Sequence, residues 1–290
     1  MTSPIAHFNG KLLPLDQIAI SPLDRGFLFG DGVYEVIPAY GGRLLRAREH
    51  FRRLQRSMDE IRLANPHTPD EWIAEVERLL AHHPGNQSVY IQVTRGVPAK
   101  RDHVMPAGLA PTVFMMASPL ATPSPEAVEK GVACVSAKDF RWEKCHIKST
   151  SLLGNVLARQ VSADAGAAET VLFRDGFLTE AAASNVFIVK GGVVAAAPQD
   201  NHILLGITYE LLTDLAREGK LRFEIRPVAE AEVRGADEIW LSSSTKEVLA
   251  VTTLDGKPVG AGVPGPVFRR MHALFQEYKA KLAAAPAVAG

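Results

Sequence analysis

Residues 118–125 read SPLATPSP, with three prolines and no apolar periodicity. Proline fixes φ and removes a backbone donor, so a stretch this rich in it, with no core pattern, suits a domain boundary. It divides the chain into two parts, each with its own strand-like and helix-like patterns. The expected organisation is a small N-terminal α/β domain over 1–118, a linker over 119–125 and a large C-terminal domain over 126–290. A chain of 290 residues is long enough to give each part a core.

The first part opens with short strands and tight turns. Asn9-Gly10 suits a hairpin turn, 33–40 (VYEVIPAY) alternates like a strand, and Gly41-Gly42 turns the chain into Arg43. A helix is expected over 47–61. Another starts at Thr68-Pro69-Asp70-Glu71, which joins a capping box to proline at the first helical position. Strands SVYIQVTRG and TVFMMAS follow, separated by the polar loop VPAKRDHVMPAG, too long for a plain hairpin. In the second part, strands are expected over 132–137, around Arg174-Asp175-Gly176, at NVFIVK and at EIWLS. Helices are expected over 207–218, stopped by Gly219, and after Pro266, with the tail 281–290 frayed. Strands and helices mix without strict βαβ alternation, which favours an α+β architecture over a doubly wound sheet.

Lys and Arg balance Asp and Glu, 32 against 32, so no net field points to nucleic acid or a membrane surface. Two cysteines, Cys134 and Cys145, exclude a disulfide framework and a cysteine-rich zinc site. No metal is expected, because His146 beside Cys145 has no further ligands at suitable spacing. The N-terminus MTSPIAHFNGKLL lacks the basic and apolar regions of a signal peptide, and no apolar run is long enough to span a bilayer. The expected location is a reduced cytoplasm.

Lys148 follows an alternating, strand-like stretch (Cys145, Ile147) and precedes the hydroxyl run Ser149-Thr150-Ser151, able to cap a helix. Leu152, Leu153, Val156, Leu157 and Val161 then form a helical apolar stripe that reads as buried. A lysine at such a junction is poorly placed as a solvated charge. Partial burial favours the neutral amine, which can attack a carbonyl. Glu180 ends the strand-like FLTE and is followed by Ala181-Ala182-Ala183, so its carboxylate needs a cationic partner. An arginine would serve, and so would a pyridinium nitrogen. Leu205-Gly206-Ile207-Thr208 enters a helix, and Ser242-Ser243-Ser244-Thr245 follows a strand. Both loops offer N–H or hydroxyl donors to an anion, although helix capping alone explains either. Arg53 is a further cation for that anion or an exposed arginine among several. No GxxxxGK[ST] loop is present, which argues against a nucleoside triphosphate. Lysine, carboxylate and phosphate-type loops together describe a pyridoxal 5′-phosphate (PLP) pocket. Tyr34 begins a strand with a hydroxyl able to reach a site, and Arg101 and His103, two residues apart on the long loop, could clamp a carboxylate. The glycines of DRGFLFGDGVYE read only as a tight corner.

DRGFLFGDGVYE, YIQVTRG, RDHVMP, RWEKCHIKSTSLLGNVLA, LTEAAASNVFIV, LLGIT and SSSTKE, in this order over residues 8–260, resemble the serial motifs of the class IV (fold type IV) PLP-dependent aminotransferases. The resemblance is greatest to the D-amino acid transaminases. It implies a two-domain fold with the cofactor between the domains, the C-terminal one binding most of it. Lys148 matches the lysine that bonds to the cofactor and moves the proton between Cα and C4′, and Glu180 the acidic residue on the ring nitrogen. Arg53, Ile207, Thr208, Ser243 and Ser244 match phosphate-binding positions, and Leu204 the leucine supporting the ring. Tyr34, Arg101 and His103 match the trap for the substrate α-carboxylate, with Arg and His supplied by the neighbouring subunit of a homodimer. The implied reaction converts D-alanine and 2-oxoglutarate into pyruvate and D-glutamate, within a broad D-amino acid range.

Two departures bear on substrate preference. Ala181-Ala182-Ala183 replaces the small hydroxyl residues of the family pattern, and the loop between Gly96 and Arg101 is one residue longer. The alternatives are a branched-chain L-amino acid aminotransferase or an aminodeoxychorismate lyase of the same fold, which share the cofactor residues without the Arg-x-His pair. A catalytically idle dimeric binding module is the non-enzymatic alternative; intact Lys148 and Glu180 speak against it.

Overall fold

A computed structural model describes residues 3–284. The chain forms two compact units, Met1–Ala121 with Ile147–Leu152, and Thr122–His146 with Leu153–Gly290. The segment containing Lys148 thus belongs by its packing to the first unit, although the sequence organisation assigns it to the second part.

In the first unit, strands β1 (Ile5–Phe8) and β2 (Lys11–Pro14) make a hairpin, and a short helix α1 (Arg25–Phe29) precedes the long strand β3 (Gly32–Tyr40). Then come β4 (Arg43–Leu44), helices α2 (Ala47–Glu60) and α3 (Pro69–Leu80), and strands β5 (Gln87–Thr94) and β6 (Thr112–Pro119). The strands form an antiparallel sheet in the order β2-β1-β6-β5-β3-β4. Asn9 and Gly10 both have positive φ, as the first hairpin requires. The capping box of α3 is present: Glu71 N–H donates to the Thr68 hydroxyl, and Thr68 N–H to the Glu71 carboxylate. Alternate residues of the sheet (Val33, Ile37, Val89, Ile91, Val93, Met115) bury against Phe51, Leu54 and Met58 of α2 and Trp72, Val76 and Leu79 of α3. The Phe51 and Trp72 rings stack at 6.1 Å.

The second unit contains helices α4 (Pro125–Lys130) and α5 (Leu153–Asp164) with strands β7 (Val132–Lys138), β8 (Glu169–Arg174), β9 (Phe177–Ala181), β10 (Asn185–Lys190) and β11 (Val193–Ala196). It continues through α6 (Ile207–Glu218), β12 (Arg222–Ile225), α7 (Glu230–Arg234), β13 (Glu238–Ser243), β14 (Glu247–Leu254), β15 (Lys257–Pro258) and α8 (Pro266–Ala284). Its mixed sheet runs β12-β11-β10-β13-β14-β7-β8-β9, with β15 on β14. One core gathers Val171, Ile188, Ile239, Leu241 and Val251, while Phe187, Tyr209, Trp240 and Phe268 make a chain of aromatic contacts. Helix α6 has the bounds the pattern predicts. The last six residues of the expected frayed tail, 285–290, lie outside the described residues. No helix among the described residues is long and apolar enough to cross a membrane.

Two expectations around Lys148 are corrected. Cys145 and Ile147 are both buried but form no strand. Cys145 N–H donates to the Asn201 carbonyl in the second unit, whereas Ile147 joins the core of the first. Their alternation reflects two destinations, not one pleated face. Helix α5 is not buried: Leu153, Val156, Leu157 and Val161 are 70, 58, 52 and 39 % exposed, and only Ala158 and Ser162 face the interior. Periodicity marks an apolar face without saying what covers it.

Segment 147–152 extends the first unit at β3. Tyr34 N–H donates to the Lys148 carbonyl at 2.9 Å, and Thr150 N–H to the Gly32 carbonyl at 2.9 Å. Lys148 N–H donates to the Ser57 hydroxyl of α2. The hydroxyls expected to cap α5 serve this attachment, with Thr150 donating to the Gly30 and Gly32 carbonyls and Ser151 to Gly30. Thr150→Val keeps the branched shape and removes this donor. Urea unfolding should show a loss of about 1 kcal/mol.

Candidate active site

Strand β3 places successive side chains on opposite faces. Glu35 points into the interior beneath α2, while half-buried Tyr34 lies on the other face. Lys148 Nζ stands 4.2 Å from the centroid of the Tyr34 ring, a cation–π distance. Arg53 is 4 % exposed and not a surface arginine. Its guanidinium grips Glu35 bidentately, Nε to Oε1 at 2.8 Å and Nη2 to Oε2 at 2.7 Å. His50, one helical turn earlier on α2, places Nδ1 2.8 Å from Glu35 Oε2. Burial alone would raise the Glu35 carboxyl, but Arg53 and then His50 overcome it and hold the group far below its ordinary value. Glu35 and His50 were not singled out in the sequence. Their signal was a carboxylate next to Tyr34 and a histidine three positions before Arg53.

In the second unit Glu180 is buried, and Arg141 Nη1 donates to its Oε1 at 2.6 Å. The arginine alternative for Glu180 is therefore present. Its other oxygen accepts from Asn185 Nδ2 and from Leu204 N–H, each at 3.1 Å. Arg141 also binds Asp139 bidentately, at 3.0 and 2.9 Å. Burial pushes Glu180 up to about 7, against the pull of a guanidinium it shares with Asp139. Its three donors therefore do not fully offset its burial.

Asn185 ties this carboxylate to the adjoining loop, since its Nδ2 also donates to the Leu204 carbonyl at 2.9 Å. Gly206 allows the approach: a Cβ there would collide with Asn185 Oδ1. Helix α6 begins next, with no side chain capping it and with Ile207 and Thr208 in its first turn. Asn185 is opposite Ser242 in the β10–β13 register, which places the Ser243-Ser244 turn at the same end of the sheet. Glu180, Leu204, Ile207, Thr208 and Ser243 are thus brought to one locality, with Ser244 next in the chain. Arg141, Asp139 and Asn185 were missed in the sequence; DFR at 139–141 carried the only local hint.

Arg101 and His103 are exposed and share one support, the ring of Phe29. The Arg101 guanidinium carbon lies 4.9 Å and the His103 ring 5.1 Å from its centroid. Among the described residues, no hydrogen bond or ion pair joins either of them to Tyr34 or Lys148 in the same chain.

Residues 32–254 match the family Amino-transferase class IV. The chain is 38% identical over 270 residues to the D-alanine aminotransferase of Bacillus licheniformis, covering 93% of this chain and 95% of that one. It is 37% identical over 272 residues to that of Listeria monocytogenes, covering 93% and 94%. The chain belongs to the class IV aminotransferases. Its solved neighbours include the Escherichia coli branched-chain amino acid aminotransferase, with TM-score 0.90, 24% identity and coverage of 96% and 94%. A second branched-chain amino acid aminotransferase, solved with pyridoxamine 5′-phosphate, has TM-score 0.89, 24% identity and coverage of 96% and 95%. At that identity these neighbours establish the shared two-domain fold of class IV aminotransferases, an α+β arrangement as expected.

PLP is the cofactor of this aminotransferase class. The residues fit it. An uncapped helix N-terminus with adjacent hydroxyls suits a phosphate dianion, and Glu180 suits a protonated ring nitrogen.

The Glu35 carboxyl generates a pH prediction. The unfolded group takes up a proton near its ordinary 4.5, whereas the folded group stays ionised. Its stabilisation is therefore complete above that pH and is lost as pH falls below it. Glu35→Gln leaves Arg53 and His50 buried without their anion and should cost about 3–5 kcal/mol near neutrality. Chemical denaturation should show the gap from the parent narrowing below 4.5.

Proposed function

We propose that this aminotransferase acts on D-amino acids, converting D-alanine and 2-oxoglutarate into pyruvate and D-glutamate. The observation that carries the reading is identity of 37–38% to D-alanine aminotransferases along nearly the whole chain. The Arg101–His103 pair, gathered on the one Phe29 ring, is consistent with it.

Each residue has a distinct role in this reading. Lys148 would hold the bound cofactor, and its amine, once set free by the incoming substrate amine, would take the proton from the substrate Cα and return one in the reverse direction. Bound PLP supplies an electron sink for the pair left at Cα. Glu180 keeps the proton on the ring nitrogen, aided by Asn185 and Leu204 N–H, which fix its carboxylate. Ile207, Thr208, Ser243, Ser244 and Arg53 hold the phosphate, and Leu204 supports the ring. Tyr34, Arg101 and His103 bind the α-carboxylate, so that the Cα–H of a D-substrate faces Lys148.

The reading includes a homodimer whose sites are shared, and a cytoplasmic location. The exposed stripe Leu153, Val156, Leu157 and Val161 supports association with a second copy. Arg101 and His103 are correspondingly assigned to the partner's site.

The branched-chain L-amino acid reading draws on the fold neighbours. The deciding assay measures pyruvate from D-alanine and 4-methyl-2-oxopentanoate from L-leucine, each with 2-oxoglutarate. D-alanine should turn over faster, and Lys148→Ala should abolish turnover together with the borohydride-reducible lysine adduct. Faster L-leucine turnover would overturn the D-amino acid assignment.

Shared sites give a separate prediction. Lys148→Ala chains, inactive alone, and Arg101→Ala chains, of raised KM for D-alanine, should together gain activity at low D-alanine when their subunits exchange. Both lesions can fall in one site of a mixed dimer, leaving the other intact. Complete exchange without rescue would show that each chain serves its own site.

A further inference from the structure

The glycine-rich corner DRGFLFGDG has more content than a turn. Arg25 and Phe29 are one helical turn apart on α1, and the Arg25 guanidinium carbon lies 4.9 Å from the Phe29 centroid. Arg25 is almost fully buried, and its guanidinium donates to three consecutive backbone carbonyls of the substrate loop. Nη1 reaches Asp102 O at 2.5 Å and Val104 O at 3.3 Å, and Nη2 reaches His103 O at 3.2 Å. Its Nε donates to Asp31 Oδ2 at 2.6 Å. Asp31 in turn accepts from Arg95 Nε and Nη2, at 2.8 and 2.9 Å. Arg95 also donates to the Ile61 and Arg62 carbonyls just past α2, at 2.6 and 2.9 Å. Burial would raise the Asp31 carboxyl, but hydrogen bonds from Arg95 and Arg25 hold it below its ordinary value. An ionised carboxylate thus joins the two guanidinium groups.

We propose that Arg25 is a positioning residue for the substrate carboxylate: with Phe29 it builds the Arg101–His103 clamp by fixing the loop backbone from beneath. The loop's side chains are exposed and its carbonyls have few alternatives to water, so a single buried fork determines where residues 101 and 103 point. Lysine at position 25 would keep the charge but could not span three carbonyls and Asp31 together. This proposal rests on the reading that Arg101 and His103 hold the α-carboxylate.

The test uses the purified holoenzyme with Arg25→Met, Arg25→Lys, Phe29→Leu and Arg101→Ala. Arg25→Met keeps an apolar stem and leaves Asp31 paired to Arg95, while Phe29→Leu disturbs the clamp without touching the carbonyl bonds. Arg25→Met should raise KM for D-alanine and for 2-oxoglutarate about 10-fold, with kcat within about twofold. Arg25→Lys should fail to restore KM. Amide hydrogen exchange over 101–105 should be faster in both Arg25 variants, with the rest of the first unit unchanged. Phe29→Leu should raise KM in the same direction, and it decides the matter if the Arg25 variants do not fold. An unchanged KM for Arg101→Ala would defeat the clamp reading itself. Raised KM for Arg101→Ala beside parental KM and exchange in the Arg25 variants, or parental KM in Phe29→Leu where those do not fold, would defeat the proposal alone.

Discussion

The amine of Lys148 is placed by a strand it does not belong to in sequence. The Tyr34 N–H bond to the Lys148 carbonyl and the Thr150 N–H bond to the Gly32 carbonyl attach a six-residue excursion of the chain to β3. Ile147 anchors that excursion in the core of the first unit. β3 then serves both faces, with Tyr34 beneath the lysine and Glu35 beneath α2. Side chains that would otherwise be far apart in the sequence are referred to one rigid element, so their geometry depends on sheet register more than on loop conformation.

The same logic recurs at Glu180. A carboxylate buried among small residues would tend to protonate, and it is kept useful by donors from three directions. Arg141 supplies charge, Asn185 supplies direction, and the Leu204 N–H couples the carboxylate to the loop that leads into α6. A shift of that loop cannot leave Glu180 undisturbed, so the start of α6 and the carboxylate are mechanically related.

Local signals made the helices legible. The capping box and proline at 68–71 started α3, and the apolar pattern with Gly219 delimited α6. Residue type and position also made Lys148, Glu180 and the Gly206–Thr208 loop readable as candidates. What could not be read was pairing. Arg141 meets Glu180 across 39 residues of sequence, and Arg53 meets Glu35 across 18. No periodicity encodes such partnerships, and an arginine has the same letter whether it is solvated or locked to a buried carboxylate. The apolar stripe of α5 failed for a related reason: its pattern is satisfied equally by its own core or by a surface elsewhere. At 145–148 the failure was different, because two nearby buried residues answer to two cores.

Arg25 holds the far end of the loop after β5 by its backbone, while the near end leaves β5 at Arg95 and Gly96. Between these two fixed points lie residues 97–101, where Val97, Ala99 and Lys100 are exposed and only Pro98 is buried. Length can be added to that span without loosening either attachment, as slack is added to a rope between two cleats. The added residue that the resemblance implies before Arg101 would be of this kind. It would change the angle and reach of one guanidinium while Lys148 stays fixed to β3, so under the proposed function the range of accepted side chains could drift independently of the chemistry performed on them.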